Sequence, residues 1–246
     1  LYQDDTGRVH IYRQNAGSWS HEAVLTASDQ DQSRFGFGLA LNEAGDRLAI
    51  GAPNRVVNGV IYGSVYIFEY DGTSWSQTQI IEEANPVSEA NYGQALLFKG
   101  DTLVIGAPEE DYQTTGTPPI VVQDAGTVYL YAHDGTQFEP IDTLNPVRDN
   151  NSSYPIRSGS ALAWEENTLV VGSQVGNNFG FIYVYEWDGN FWQEERVSGG
   201  SARRFGSQVA IQNGIIAVSA PESDVPADRG GLVEFYTKQA SGWTAS

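Results

Sequence analysis

The chain has 246 residues, a formal net charge of −18 and no cysteine. The absence of thiols excludes disulfides and zinc–thiolate sites, and 31 acidic against 13 basic residues disfavour a nucleic-acid backbone as partner. No apolar run has the length needed for membrane insertion, and the 27 glycines with 12% aromatic residues favour strands and tight turns over helices.

From its N terminus, the chain opens with two predicted strands and then repeats a unit of four strands. Residues 7–12 form the first strand pattern, and a second strand starts at Trp19. The first strand of each later unit follows a residue pair that ends in glycine: Phe35-Gly36, Tyr92-Gly93, Ser158-Gly159 and Phe205-Gly206.

The other strands of each unit keep a constant order. The second strands end in small-residue turns: Gly51-Ala52-Pro53, Gly106-Ala107-Pro108, Gly172-Ser173-Gln174 and Ser219-Ala220-Pro221. The third strands open at Gly63, Gly126, Gly180 and Gly231, and the fourth at Trp75, Phe138, Trp192 and Trp243. Because one such antiparallel sheet cannot bury both of its faces alone, we predict an all-β chain whose sheets stack radially as the blades of a β-propeller.

The domain prediction follows from the repeat. We expect a single propeller domain over residues 1–246, with a partial blade at 1–34 and blades at 35–91, 92–157, 158–204 and 205–246. The partial blade lacks the first two strands of its unit. This predicts an open sheet edge that further blades of a longer chain, or a partner chain, would cover.

Two of these segments carry a resemblance to a known family. Phe35-Gly36 leading to Gly51-Ala52-Pro53, and Tyr92-Gly93 leading to Gly106-Ala107-Pro108, resemble the FG-GAP repeat. This repeat builds the propeller of integrin α subunits and occurs in many secreted bacterial proteins, and residues 19–29 and 101–108 resemble the bacterial version. The resemblance implies an extracellular or cell-surface location and partner binding on the face that carries the long loops.

The resemblance also implies calcium sites, which the family builds in an Asp-rich loop between the first two strands of a blade. The corresponding loops here are residues 42–46, 99–101, 165–167 and 212–214, and none supplies the oxygen ligands that calcium requires. We therefore predict no cofactor, with calcium as the alternative. His10, His21 and His133 are isolated in the sequence, so we predict neither a metal site nor catalytic residues.

The candidate binding site lies on the long loops, residues 54–62, 109–125, 145–156 and 222–230. Loops of this kind on a rigid scaffold are where binding sites usually lie. The candidate partner-binding residues are carboxylates and tyrosines in or beside these loops and near the N terminus: Asp4, Asp5, Tyr62, Glu109, Glu110, Asp111, Tyr112, Tyr154, Glu222, Asp224 and Asp228. Asn150 and Asn151 open two overlapping glycosylation sequons in the same region.

Three functions are compatible with these features. The leading hypothesis is a non-enzymatic extracellular module for recognition, adhesion or surface assembly, with a protein or glycan ligand on the long-loop face. A carbohydrate-binding lectin is the first alternative, and it requires loop aromatics that form equivalent pockets between blades. The second alternative is an accessory domain of a secreted hydrolase, which requires a separate catalytic domain.

Overall fold

The computed structural model describes residues 7–29, 33–84, 86–113, 121–146, 156–174, 179–224 and 230–246. Within these ranges the chain forms only strands, turns and extended segments. No part of the chain that is described forms a helix able to cross a membrane. The strands, with no helix among the described residues, confirm the all-β prediction for this part of the chain.

The first two strands form an N-terminal hairpin, in which β1 (Val9–Asn15) pairs antiparallel with β2 (Ser18–Leu25). The first sheet follows, with the strand order β3 (Leu39–Leu41), β4 (Arg47–Ala52), β7 (Ser64–Tyr70) and β8 (Trp75–Ile81). The second sheet has the order β9 (Ala95–Lys99), β10 (Thr102–Ala107), β13 (Thr127–His133) and β14 (Phe138–Leu144).

The remaining strands complete four sheets of four antiparallel strands each, as the repeat predicts. The third sheet contains β15 (Ser158–Glu165), β16 (Thr168–Ser173), β17 (Phe179–Trp187) and β18 (Trp192–Arg203). The fourth contains β19 (Val209–Gln212), β20 (Ile215–Ala220), β21 (Leu232–Gln239) and β22 (Gly242–Ala245). Two small accessory hairpins lie between the second and third strands of the first two sheets: β5 (Val56–Val57) with β6 (Val60–Ile61), and β11 (Tyr112–Gln113) with β12 (Val121–Val122).

The sheets pack face to face in chain order. Val65 and Ile67 of the first sheet are buried against Leu103 and Ile105 of the second, and similar apolar layers fill the other three junctions. The first strands of successive sheets also contact one another, β3 with β9, β9 with β15, and β15 with β19. Because full burial of one large aliphatic side chain contributes about 1.5–3 kcal/mol, burial between sheets is the main source of stability.

Close backbone contact between neighbouring sheets explains the glycines of the repeat. Gly106 lies near the end of β10, and a Cβ at that position would lie 2.1 Å from the carbonyl oxygen of Gly159 in the third sheet. Gly159 itself has a φ of +94°, a conformation that glycine adopts without steric cost. The same approach joins two further pairs, Gly51 with Gly93 and Gly172 with Gly206. A side chain at either glycine would push the two sheets apart.

In the first three sheets, an aspartate closes the turn between the third and fourth strands. The carboxylate Oδ1 of Asp71 accepts the Thr73 hydroxyl at 2.6 Å and the N–H groups of Thr73 and Ser74 at 2.8 Å. These hydrogen bonds, with that of the hydroxyl the largest, lower the pKa of Asp71 to about 2. Asp134 and Asp188 accept the equivalent N–H groups in the next two sheets, so the predicted Asp-Gly turns are present.

Candidate functional site

The long loops leave the sheets at one edge, where the second strand of each sheet ends and its third strand begins. We call this the long-loop edge and define it by residues 53–63, 108–126 and 221–231 as far as they are described. It carries both accessory hairpins. The opposite side, where the first and second strands and the third and fourth strands are joined by short turns, is the short-turn edge.

Three acidic residues, Glu109, Glu110 and Asp111, begin the second long loop, and the first and last of them bind neighbouring parts of the protein. The Oε2 atom of Glu109 accepts the side-chain amide of Asn91 at 2.7 Å, and its Oε1 lies 3.2 Å from the guanidinium of Arg157. The Oδ1 atom of Asp111 accepts the N–H of Asp124 at 2.9 Å. These two carboxylates therefore hold the loop to its neighbours.

Glu110, between them, turns inward and is only 8% exposed. The hydroxyl oxygen of Tyr129 lies 2.7 and 2.8 Å from its two carboxylate oxygens. Burial and the nearby charge of Glu83 raise the pKa of Glu110 to about 7. Burial also raises the pKa values of Glu83 and Tyr129. Near neutral pH, Glu110 is therefore poised between its neutral and its charged form.

Two further tyrosines lie beside this pair of acids. The hydroxyl of Tyr92 donates to the hydroxyl of Tyr131 at 2.9 Å, and both side chains are buried. We call Glu83, Glu110 and the tyrosines 92, 129 and 131 the acid–phenol cluster. A cleft of about 440 Å³ between the first and second sheets is lined by Glu83, Tyr129 and Tyr131 and so reaches the cluster.

Glu110 occupies a position that recurs in other sheets. Arg55, Glu110 and Ser223 each donate their backbone N–H to the alanine carbonyl three residues earlier, at 3.1, 3.3 and 3.1 Å. Each of their carbonyls also accepts the N–H of the glycine that opens the third strand. One structural position therefore carries a cation in the first sheet, a carboxyl in the second and a hydroxyl in the fourth.

In the first sheet the cation at this position joins three elements. The guanidinium of Arg55 lies 2.7 Å from Asp29 and also pairs with Glu82. The hydroxyl of Tyr66 lies 2.9 Å from both oxygens of Asp29. Arg55 is only 14% exposed in its side chain, so this network links the segment after the N-terminal hairpin to the first sheet through a largely shielded cation.

The other predicted residues do not converge with these. Glu222 lies 3.1 Å from Arg204, and Asp224 lies 3.6 Å from Arg203, both beside the fourth sheet. Two tyrosines are half-buried in the accessory hairpins or next to them, Tyr62 after β6 and Tyr112 in β11. The remaining candidates lie outside the described residues: Asp4, Asp5, Tyr154 and Asp228, together with the sequon residues Asn150 and Asn151.

In the turns that correspond to the family's calcium loops, several side-chain oxygen atoms bind protein groups. The Oδ1 atom of Asn42 accepts the N–H groups of Asp46 and Arg47 at 3.1 and 3.0 Å. Asp101 lies 2.9 Å from the Arg47 guanidinium, and Glu165 accepts two N–H groups of the equivalent turn in the fourth sheet. Across the ranges the structure describes, no three His, Cys, Asp or Glu side chains form a metal-binding group.

Two of the histidines that are isolated in the sequence lie close together in the structure. His10 and His21 lie on paired strands of the N-terminal hairpin, with Nδ1 and Nε2 3.3 Å apart. A bulge in the β1–β2 pairing between Ile11 and Tyr12 shifts the register there, and sequence spacing does not reveal such a shift. His133 packs on Phe138 with ring centroids 4.9 Å apart.

Sequence analysis missed three residues of this edge whose pKa values are raised, namely Glu83, Tyr129 and Arg55. None stands out by composition. The register of the repeat would have found Arg55, because Arg55 and Glu110 each lie three residues after the alanine of the small-residue turn. Comparing this position between the first two sheets shows that a positive charge at Arg55 is replaced by a carboxyl at Glu110.

Comparison with known proteins finds a family match over part of the chain. Residues 19–68 match the family model for the FG-GAP repeat, which covers most of β2 and the first sheet into β7. No curated protein sequence gives a significant match. The match confirms the resemblance, and repeats of this family occur generally in extracellular adhesion and recognition modules.

Proposed function

We propose that this chain, which carries an FG-GAP repeat over residues 19–68, is a non-catalytic extracellular recognition module. Its partner, a protein or a glycan, binds at the long-loop edge. The observation that carries the proposal is the pair of accessory hairpins, β5–β6 and β11–β12. They extend the connection between the second and third strands of the first and second sheets beyond what joining two strands requires.

The architecture supports a rigid platform for such binding. Four sheets of one topology stack face to face, and their first strands contact one another along one side. These contacts support an arrangement as blades around an axis, in which all long loops point to one side. Arg55 anchors the first accessory hairpin, while Glu109 and Arg157 join the second long loop to the third sheet.

The acid–phenol cluster supports a structural role for its two carboxyl groups. Glu110 is 92% buried, since only 8% of it is exposed, and Tyr129 lies against both of its carboxylate oxygens. A general acid must reach the substrate within hydrogen-bond distance, whereas this carboxyl is buried.

The test is adhesion of the immobilised chain to cell envelopes from its source organism. A variant in which residues 112–122 are replaced by a short Gly-Ser turn removes the second accessory hairpin and leaves the four sheets. We expect at least a tenfold loss of binding, because interface energy concentrates in a few contacts. A matched variant with Asn190→Ser, in a short turn, should bind normally. Equal binding by the loop variant and the parent chain would contradict the proposal.

A further inference from the structure

At three of the four junctions in the described residues, a side-chain contact at the short-turn edge joins neighbouring sheets. At the junction between the N-terminal hairpin and the first sheet, the Arg13 guanidinium lies 4.4 Å above the ring of Tyr70. Arg13 also forms a two-point ion pair with Glu22, and Glu22 accepts the indole N–H of Trp75 at 2.8 Å. A cation thus fills the space between an aromatic ring and a carboxylate.

The same two positions are in contact at two other junctions. Tyr70, His133 and Trp187 are equivalent, because each donates its N–H to the turn between the first two strands of its sheet, at 2.8, 3.0 and 2.9 Å. Their contact partners in the preceding sheets are equivalent to Arg13. Each partner lies four positions after the first buried aliphatic residue of its third strand, as Arg13 lies four positions after Val9. The contacting pairs are Glu69 with His133, 3.6 Å apart, and Glu186 with Lys238, which form an ion pair.

The junction between the second and third sheets differs, because Ala132 holds the place of Arg13, Glu69 and Glu186. A methyl group supplies no charge and cannot reach across to Trp187, which stays 37% exposed. The ring of Trp192 lies 5.4 Å from that of Trp187.

A second contact is also changed at this junction. Gln79 and Glu195 hydrogen-bond the backbone of the aromatic residue that opens the next fourth strand. Asp142 is their equivalent by strand register, since it pairs with Leu130 as Gln79 pairs with Ile67. Its Oδ1 instead accepts the N–H of its neighbour Thr143 at 2.8 Å.

These two differences leave an open cleft of about 350 Å³ between the second and third sheets. We call it the tryptophan cleft. Three indole rings and two carboxylates line it: Trp164, Trp187, Trp192, Asp142 and Glu166. Trp164 and Trp192 are in edge contact with centroids 5.5 Å apart, so the aromatic wall is packed into the sheets and held in place.

We propose that the tryptophan cleft binds an arginine side chain of a basic polypeptide. The occupant takes the place that Arg13 fills at the first junction, with its guanidinium over Trp187 and its N–H groups toward Asp142 and Glu166. Tryptophan is the strongest of the aromatic side chains in cation–π contact, and the net charge of −18 attracts a basic partner. The cleft is at the short-turn edge, so this binding is independent of the long-loop edge.

The probe is a capped Gly-Arg-Gly-Arg-Gly peptide, titrated into the full chain at about 0.15 M salt, where long-range attraction between exposed charges is screened. Tryptophan fluorescence and calorimetry follow the binding. The citrulline version of the peptide keeps the shape and removes the charge. We expect the arginine peptide to bind at least tenfold tighter than the citrulline peptide, and Trp187→Ala to abolish that difference.

Two more variants separate the cleft from general attraction between opposite charges. Ala132→Arg supplies an internal cation like Arg13 and should block the peptide while keeping every tryptophan. Phe191→Ala removes an aromatic ring that is 71% exposed on the neighbouring turn and should bind like the parent chain. Equal binding of the two peptides, undiminished binding by Ala132→Arg, or competition by a neutral oligosaccharide such as cellohexaose would overturn the proposal.

Discussion

The substitution Glu110→Gln should remove most of the pH dependence that the acid–phenol cluster gives to folding. The change keeps the shape of the side chain and its hydrogen-bonding capacity toward Tyr129, but it cannot titrate. Since Glu110 is only 8% exposed, the cost of its charged form arises in the folded state. The parent chain should therefore become less stable as the pH rises, and the variant should not show this loss.

The size of the effect follows from the two pKa values of Glu110. The pKa is about 7 in the folded chain and 4.5 for a solvated glutamate. The stabilisation is therefore fully present below pH 4.5 and is lost as the pH rises through 7. The difference corresponds to at most about 3 kcal/mol, and Glu83 takes a share because it titrates in the same cluster.

Urea unfolding at pH 5, 6, 7 and 8, followed by tryptophan fluorescence, measures the effect. Subtracting the profile of the variant from that of the parent cancels groups common to both. Glu109→Gln is the matched control, because this neighbour pairs with Arg157 near the surface, and its profile should run parallel to that of the parent. If Glu110→Gln also runs parallel to the parent between pH 5 and 8, the reasoning about buried charge is refuted.

Two further predictions concern stability. Gly106→Ala should cost about 2–3 kcal/mol in urea unfolding, because its Cβ meets the Gly159 carbonyl at 2.1 Å. The control Gly45→Ala, where nothing lies within 4 Å of the added Cβ, should cost about 1 kcal/mol. Equal costs for the two variants would contradict the close-approach argument. Arg55→Ala should cost about 1–3 kcal/mol in the same assay because it leaves Asp29 and Glu82 without their cation, and an unchanged stability would contradict the role of this network.

The fold was predictable because its strongest constraints are local and repeat. The Asp-Gly turns require a positive φ at glycine, as at Gly72 with φ +98°. The glycines at Gly106 and Gly159 mark backbone contact between sheets. The aromatic residue opening each fourth strand packs on the preceding sheet, as Phe138 does. Each of these patterns occurs several times at equivalent positions, so an ambiguous assignment in one repeat can be resolved by comparison with the others.

The site was less predictable because it depends on which loop residues turn inward. Glu109, Glu110 and Asp111 are alike in sequence, yet only the middle one is buried. Its partner Glu83 arrives from the segment after β8, a tertiary contact that composition cannot reveal. The tryptophan cleft was hidden for a related reason, since it arises from a residue too small to fill a junction, Ala132.

The most direct test of the central claim, that partners bind at the long-loop edge, uses the absence of cysteine from the chain. Val121→Cys places one thiol on the long-loop edge, at a position 56% exposed, and Ala44→Cys places one at an exposed short turn. Each is coupled to a bulky polyethylene glycol maleimide, and adhesion to source-organism cell envelopes is measured. The account predicts that coupling at position 121 blocks adhesion and coupling at position 44 does not. Adhesion that survives at 121 and is lost at 44 would contradict it.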